Sequence, residues 1–243
     1  MGKRIRMHVL RTLFKKDMKG CFGNRSILIT LLIPAVFALL YTYILSDITG
    51  LPADYVLLLC SVMVLSIIPL TVLSTMIAEE KEKHTLRSLM MANVSGVEFI
   101  LSKALVCLLL LIVEALILFF VCGAAIASLA GYLFIMVLAS LALICFGAVV
   151  GIAAKDQMSA GTLGSPLMML MLMPPIFGQF SEFIEKVAKV LPTTSLYTVY
   201  PSVAAGDSLT TKDNLIAIGV CIVWIIAGVI LFQRFYKKKG LDD

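Results

Sequence analysis

Charge is scarce in this chain. Only 14% of the 243 residues are Asp, Glu, Lys or Arg, against about 25% in an ordinary soluble domain. Histidine is scarcer still. His8 and His84 are the two present, so an H-E-x-x-H zinc site is excluded. No G-x-S-x-G nucleophile elbow occurs, and no G-x-x-x-x-G-K-[ST] phosphate loop. The stretch Gly161-Thr162-Leu163-Gly164-Ser165 has no lysine. The six cysteines form no C-x-x-C and no paired spacing. Five lie inside apolar runs and read as small hydrophobes packed between helices. Long polar stretches are also missing. The longest are the first 25 residues and residues 179–213, and neither holds enough apolar residues for an independent core. The N-terminus does not read as a cleaved signal peptide: its first apolar run is too long and no A-x-A-like site follows.

Apolar residues fill the space that charge leaves. They make up 60% of the chain, with a mean hydropathy of +1.03. A soluble fold of this size cannot hide that much apolar surface, so lipid is the expected solvent. Six runs reach the roughly 20 residues a spanning helix needs: residues 26–46, 54–77, 99–123, 129–153, 158–178 and 214–235. The expected fold is an all-α integral membrane protein with six transmembrane helices. Residues 1–25 precede it as an amphipathic helix, and residues 26–243 form one transmembrane domain.

Lysine and arginine set the expected orientation. The N-terminal segment, the 2/3 and 4/5 connections and the C-terminal segment together carry 17 of the 20 basic residues. The alternate connections carry only Lys186, Lys189 and Lys212. Both termini are therefore expected in the cytoplasm, in a multi-pass plasma-membrane protein. The net charge of +5 sits beside apolar runs, which points to membrane orientation and not to nucleic acid.

Two polar segments are amphipathic. Ile5, Val9, Leu10, Leu13, Phe14 and Met18 recur at helical spacing, opposite Arg6, Arg11, Lys15 and Lys19. That pattern predicts a basic helix in the lipid interface, with a merely charged leader as the alternative. Phe180, Phe183, Ile184, Val187, Val190 and Leu191 form a second stripe, ended by Pro192. The LPTTSLYTVYPS that follows reads as irregular or re-entrant.

Inside the spans, Glu114 is the one carboxylate at depth. It lies 11 residues past Lys103, about 16 Å along the helix. Two readings fit it: a contact in a substrate path or between subunits, or a hydrogen bond to a neighbour such as Ser66, Thr71 or Ser140. The fifth run carries Met168, Met169, Met171 and Met173 ahead of Pro174-Pro175. Methionine suits a surface that adapts to varied apolar ligands, and it suits ordinary packing equally. Pro34, Pro69 and Pro166 predict kinks.

The segment from Ala78 to Leu105 is the most informative. Glu79, Glu80, Lys81, Glu82, Lys83, His84 and Arg87 crowd its first half. Leu86, Leu89 and Met90 then give a short apolar stripe. This predicts a short helix lying across the membrane surface, with a solvated charged loop as the alternative. The order Glu79-Glu80-Lys81-Glu82-Lys83, His84-Thr85-Leu86, Leu89-Met90, Val94-Ser95, Glu98 and Ser102-Lys103 resembles the coupling region of ABC type-2 transporter permeases. His84 stands where that family usually has glycine. The layout also resembles the family over nearly all of the chain: a connecting helix, six spans, a coupling helix between spans 2 and 3, and a re-entrant element before span 6.

The resemblance implies the membrane subunit of an exporter for a small amphiphilic, drug-like, lipid-like or peptide substrate. It implies two permease subunits, a second copy or a paralogue, each resting on a separate nucleotide-binding ATPase. ATP and Mg would bind that partner, so no catalytic role and no cofactor falls to this chain. Glu79, Glu80, Glu82, Thr85, Leu86, Arg87 and Leu89 are the expected ATPase-coupling residues. Glu114 and the four methionines are the candidates for the translocation path. A stand-alone secondary transporter or channel is the alternative, although the two halves share no repeat pattern.

Overall fold

The computed structural model describes residues 6–45, 52 and 54–239. Every regular element in them is helical, as lipid requires of a chain that must pair its own backbone groups. The order is α1 (Met7–Gly23), α2 (Arg25–Ile44), α3 (Tyr55–Ile67), a π-helical segment (Ile68–Val72), α4 (Leu73–Glu82), α5 (Thr85–Met91), α6 (Gly96–Val121), α7 (Leu129–Ala153), α8 (Gln157–Phe177), α9 (Glu182–Lys189), α10 (Ser195–Ala204) and α11 (Lys212–Lys239). Six of these units are long and apolar enough to cross a membrane: α2, the continuous Tyr55–Glu82 rod, α6, α7 with its leading 3₁₀ turn, α8 and α11. They match the six expected spans in order.

Span 2 departs most from expectation. Its helix does not stop near residue 77 but runs 28 residues, to Glu82. At 1.5 Å per residue that is about 42 Å, well beyond a hydrocarbon core of about 30 Å. The charged run Glu79–Glu82 is therefore the last turn of span 2 and not part of a separate surface helix. Only Thr85–Met91 stands apart.

Spans 2 and 4 form the interior, while α2, α8 and α11 leave most of their surface outside the chain. Close approach between spans 2 and 4 depends on small residues. Gly147 and Gly151 lie one turn apart on α7, facing the π segment and α4. A Cβ on Gly147 would stand 1.9 Å from the Pro69 carbonyl oxygen, and one on Gly151 would stand 2.8 Å from Ile77. This is small-xxx-small packing, in which missing side chains let backbones meet. The π segment begins around Pro69, whose ring cannot donate to the helical ladder. Ser74 Oγ caps the Leu70 carbonyl there at 2.6 Å. Pro34 and Pro166 lie inside continuous helices.

The apolar stripe of α1 packs partly against the chain itself. Leu10, Leu13, Asp17 and Cys21 are buried, and Asp17 bonds to Ser102 and Lys103 of α6. Val9, Phe14 and Met18 of the expected stripe are half-buried, so α6 covers part of that face. Ile5 lies outside the described residues.

At the opposite end, α9 forms where the stripe predicted it, with Phe183 exposed and Ala188 turned inward. The stretch after it is not irregular. Pro192 starts a 3₁₀ turn that feeds α10. Its hydroxyls pair with neighbouring spans: Thr193 Oγ1 donates to the Met171 carbonyl (2.7 Å) and Ser195 Oγ to the Ala217 carbonyl (3.0 Å). Buried Tyr132 and Tyr200 meet edge to face beneath it, and the Tyr132 hydroxyl pairs with Ser61 at 2.6 Å.

Candidate functional site

The α5 helix is seven residues long and touches few other elements, so its ends decide its position. At its start, His84 adopts φ 53°, the left-handed region. At its end, Asn93 is also left-handed, with φ 63°. The Val94 amide reaches the Leu89 carbonyl (3.1 Å) and the Asn93 amide reaches that of Met90 (2.9 Å). These two bonds are a Schellman closure with Asn in place of Gly. Leu86 is buried, Leu89 is half-buried, and Arg87, Ser88 and Met91 face out.

The strain at His84 has a consequence. Left-handed backbone costs an L-residue about 1–2 kcal/mol, part of which glycine's larger unfolded freedom offsets. His84→Gly is expected to stabilise the turn by roughly 0.5–1 kcal/mol. The check is slower amide hydrogen exchange across Thr85–Met91. Unchanged exchange would mean that the turn is not strained.

Ser95 and Glu98 begin α6 with a capping box. Ser95 Oγ accepts from the Glu98 amide (3.2 Å), and Glu98 Oε2 accepts from the Ser95 amide (2.9 Å). Their spacing in the sequence is thus a helix start. Arg6 adds a two-pronged clasp on the same carboxylate, Nε to Oε1 at 3.1 Å and Nη2 to Oε2 at 3.0 Å, with its own amide on Oε1 at 2.9 Å. The Glu98 carboxylate holds the Arg6 guanidinium above its ordinary pKa. Arg6 Nη2 also reaches the Asn93 carbonyl at 2.5 Å, so the start of α1 grips the turn that closes α5.

The charged run is committed within the chain. Glu79 accepts from Asn24 Nδ2 (2.9 Å) and Lys83 Nζ (2.5 Å). Glu80 accepts from Lys16, from Thr85 Oγ1 and, at 3.4 Å, from Lys103. Glu82 accepts from the Gln157 amide (3.1 Å) and its side chain (3.2 Å). Lys81 donates to the carbonyls of Ile152 and Ala154 at 2.8 and 2.9 Å. The run ties span 2 to α1, the start of α2, span 3, the end of span 4 and the start of span 5.

At its centre is a buried cluster that sequence reading missed. Lys103 is 2% exposed and donates to Asp17 at 2.7 Å. Its ammonium also stands 4.8 Å from the Phe99 ring centroid. Ser102 is a second donor to Asp17. Asp17 itself signals the cluster, because it interrupts the buried Leu10-Leu13-Cys21 face of α1 with an acid.

The other expected site residues do not gather. Met168 accepts from Thr71 Oγ1 at 3.7 Å, and Met171 is buried, while Met169 and Met173 face outward. Glu114 is buried, and among the described residues one of its carboxylate oxygens has no hydrogen-bond partner. Among the described residues the Ser66 hydroxyl is likewise unpartnered, the Thr71 hydroxyl is taken by Met168, and that of Ser140 by the Val137 carbonyl. None of the three anticipated neighbours satisfies that oxygen.

The sequence model of the family described as ABC-2 family transporter protein matches residues 52–232. The chain belongs to the ABC-2 transporter family. The match runs from the start of span 2 almost to the end of span 6 and includes α5 and the turns on either side of it. Among curated proteins the search finds no matching relative. This ABC-2 protein is thus a membrane component of a transporter, from a family that normally pairs with an ATP-binding subunit.

Proposed function

We propose that the chain is the permease subunit of an ATP-driven exporter, paired with a second permease copy or a paralogue and driven by a separate ATP-binding subunit. The observation that carries this reading is α5. It is a short helix outside the spans, closed at both ends by left-handed residues, with Arg87, Ser88 and Met91 turned outward. A rigid polar knob of this kind suits a cleft on another protein. In the sequence, the N-terminal segment, the 2/3 and 4/5 connections and the C-terminal segment carry 17 of the 20 basic residues, which favours a cytoplasmic position for α5, with both termini on the same side of the plasma membrane. ATP and its Mg then belong to the partner.

In this reading, residues 1–25 act as the connecting helix and residues 26–243 as one transmembrane domain. Arg87, with Leu86 and Leu89 beneath it, contributes the docking footprint. Glu114, Met168, Met169, Met171 and Met173 are the candidates for the path of a small amphiphilic substrate moving outward. Co-expression with the ATP-binding partner is expected to give a stable complex with vanadate-sensitive ATP hydrolysis. A chain that purifies alone and moves substrate without any ATPase would instead be a secondary transporter or channel.

A further inference from the structure

Glu80 holds α5 from inside the protein. Thr85, the first residue of α5, donates its hydroxyl to the Glu80 carboxylate and to the Glu80 carbonyl (3.2 Å). The same carboxylate is held by Lys16 of α1 and Lys103 of α6. Lys103 in turn is held by Asp17, which Ser102 also binds. Two acids and two cations thus close one cluster shared by α1, span 2, span 3 and, through Thr85, α5. Glu80 is 9% exposed and sits behind α5, not on its outward face.

Burying such a cluster is costly, and apolar packing of equal volume would hold helices together at least as well. What ion pairs add is register. Apolar surfaces slide past one another, whereas hydrogen-bonded charges fix which atom meets which. We infer that Glu80 is a positioning residue for ATP coupling: it makes α5, α1 and the inner ends of spans 2 and 3 move as one block, without itself touching the ATPase. The inference rests on the reading that α5 docks the ATP-binding subunit.

Glu80→Gln tests it in the full-length chain, because Gln keeps the shape while Asp17 still neutralises Lys103. In the permease alone, amide exchange in Thr85–Met91 is expected to quicken about tenfold, with α6 unchanged. In the reconstituted complex, affinity for the ATP-binding subunit is expected to stay within about twofold, while vanadate-sensitive hydrolysis falls about fivefold. Thr85→Val cuts the same link without touching a buried charge. It is expected to reproduce both effects, and it decides the matter if Glu80→Gln does not accumulate.

Arg87→Glu is the contrast, expected to weaken affinity about tenfold or more with α5 exchange unchanged. If Glu80→Gln weakens affinity as Arg87→Glu does, Glu80 is a docking residue and the inference is overturned. It is also overturned if Glu80→Gln and Thr85→Val leave exchange and hydrolysis unaltered. If Arg87→Glu leaves affinity intact, the docking reading itself fails, and the inference falls with it.

Discussion

Replacing Lys103 with methionine is expected to destabilise the folded chain by about 3–5 kcal/mol, the range for removing one partner of a buried ion pair. Methionine matches the lysine stem in length, so little packing volume changes. What is lost is the cation between Asp17 and Glu80, at 2.7 and 3.4 Å. Asp17 would be left buried with Ser102 as its remaining donor, and Glu80 would keep Lys16. Most of the cost therefore falls on Asp17. The companion variant Asp17→Asn with Lys103→Met removes both charges and is expected to recover more than half of the loss. Thermal unfolding midpoints of the three proteins in one detergent make the comparison. Equal destabilisation by the single and double changes would show that the charge pair is not the source.

Gly147→Ala is expected to be comparably severe. The added Cβ would meet the Pro69 carbonyl oxygen at 1.9 Å. That obstacle is backbone, and it cannot rotate away as a side-chain tip could. Spans 2 and 4 would have to separate or the π segment would have to re-register. Overpacking a tight interior costs about 1–3 kcal/mol and sometimes more, and a backbone clash at this distance belongs at the top of that range. Gly161→Ala is the control, since nothing among the described residues lies within 4 Å of its added Cβ. The check is the yield of monodisperse protein and its unfolding midpoint. A Gly147→Ala protein as stable as the control would mean that the two spans do not meet as described.

These two sites also show what could be read in advance. The six spans were legible because apolar run length is a local property and lipid sets its threshold. The end of span 2 was not, because charge in a sequence looks like a loop. Glu79, Glu80 and Glu82 remain helical because Asn24, Lys16, Lys103 and Gln157 satisfy them, and two of those partners lie more than 60 residues away. Asp17 was visible as an acid on an apolar stripe, but its pairing with Lys103 depends on how α1 folds back. The spacing Gly147-x-x-x-Gly151 was likewise visible, whereas the span it faces was not. LPTTSLYTVYPS looked irregular by composition. It is helical because Pro192 sits in a first turn, where a missing amide costs nothing, and its hydroxyls find span carbonyls.

His84 runs the other way. The family resemblance marked it as a departure from glycine, and the backbone there is in the region glycine favours. The turn geometry is kept and the residue tolerates it, since histidine visits that region more readily than most. The Ser95–Glu98 pair of the same motif is explained without reference to any partner, as the cap of span 3.

The central claim is that α5 is the surface an ATP-binding subunit grips. A photo-reactive p-benzoylphenylalanine in place of Met91, which is 76% exposed on α5, tests it most directly. In membranes containing the complex, illumination is expected to join the chain to the ATP-binding subunit. The same probe in place of Phe183 on α9, at the opposite end, is expected not to. A complex that forms and hydrolyses ATP, yet cross-links from position 183 and not from position 91, would contradict the account.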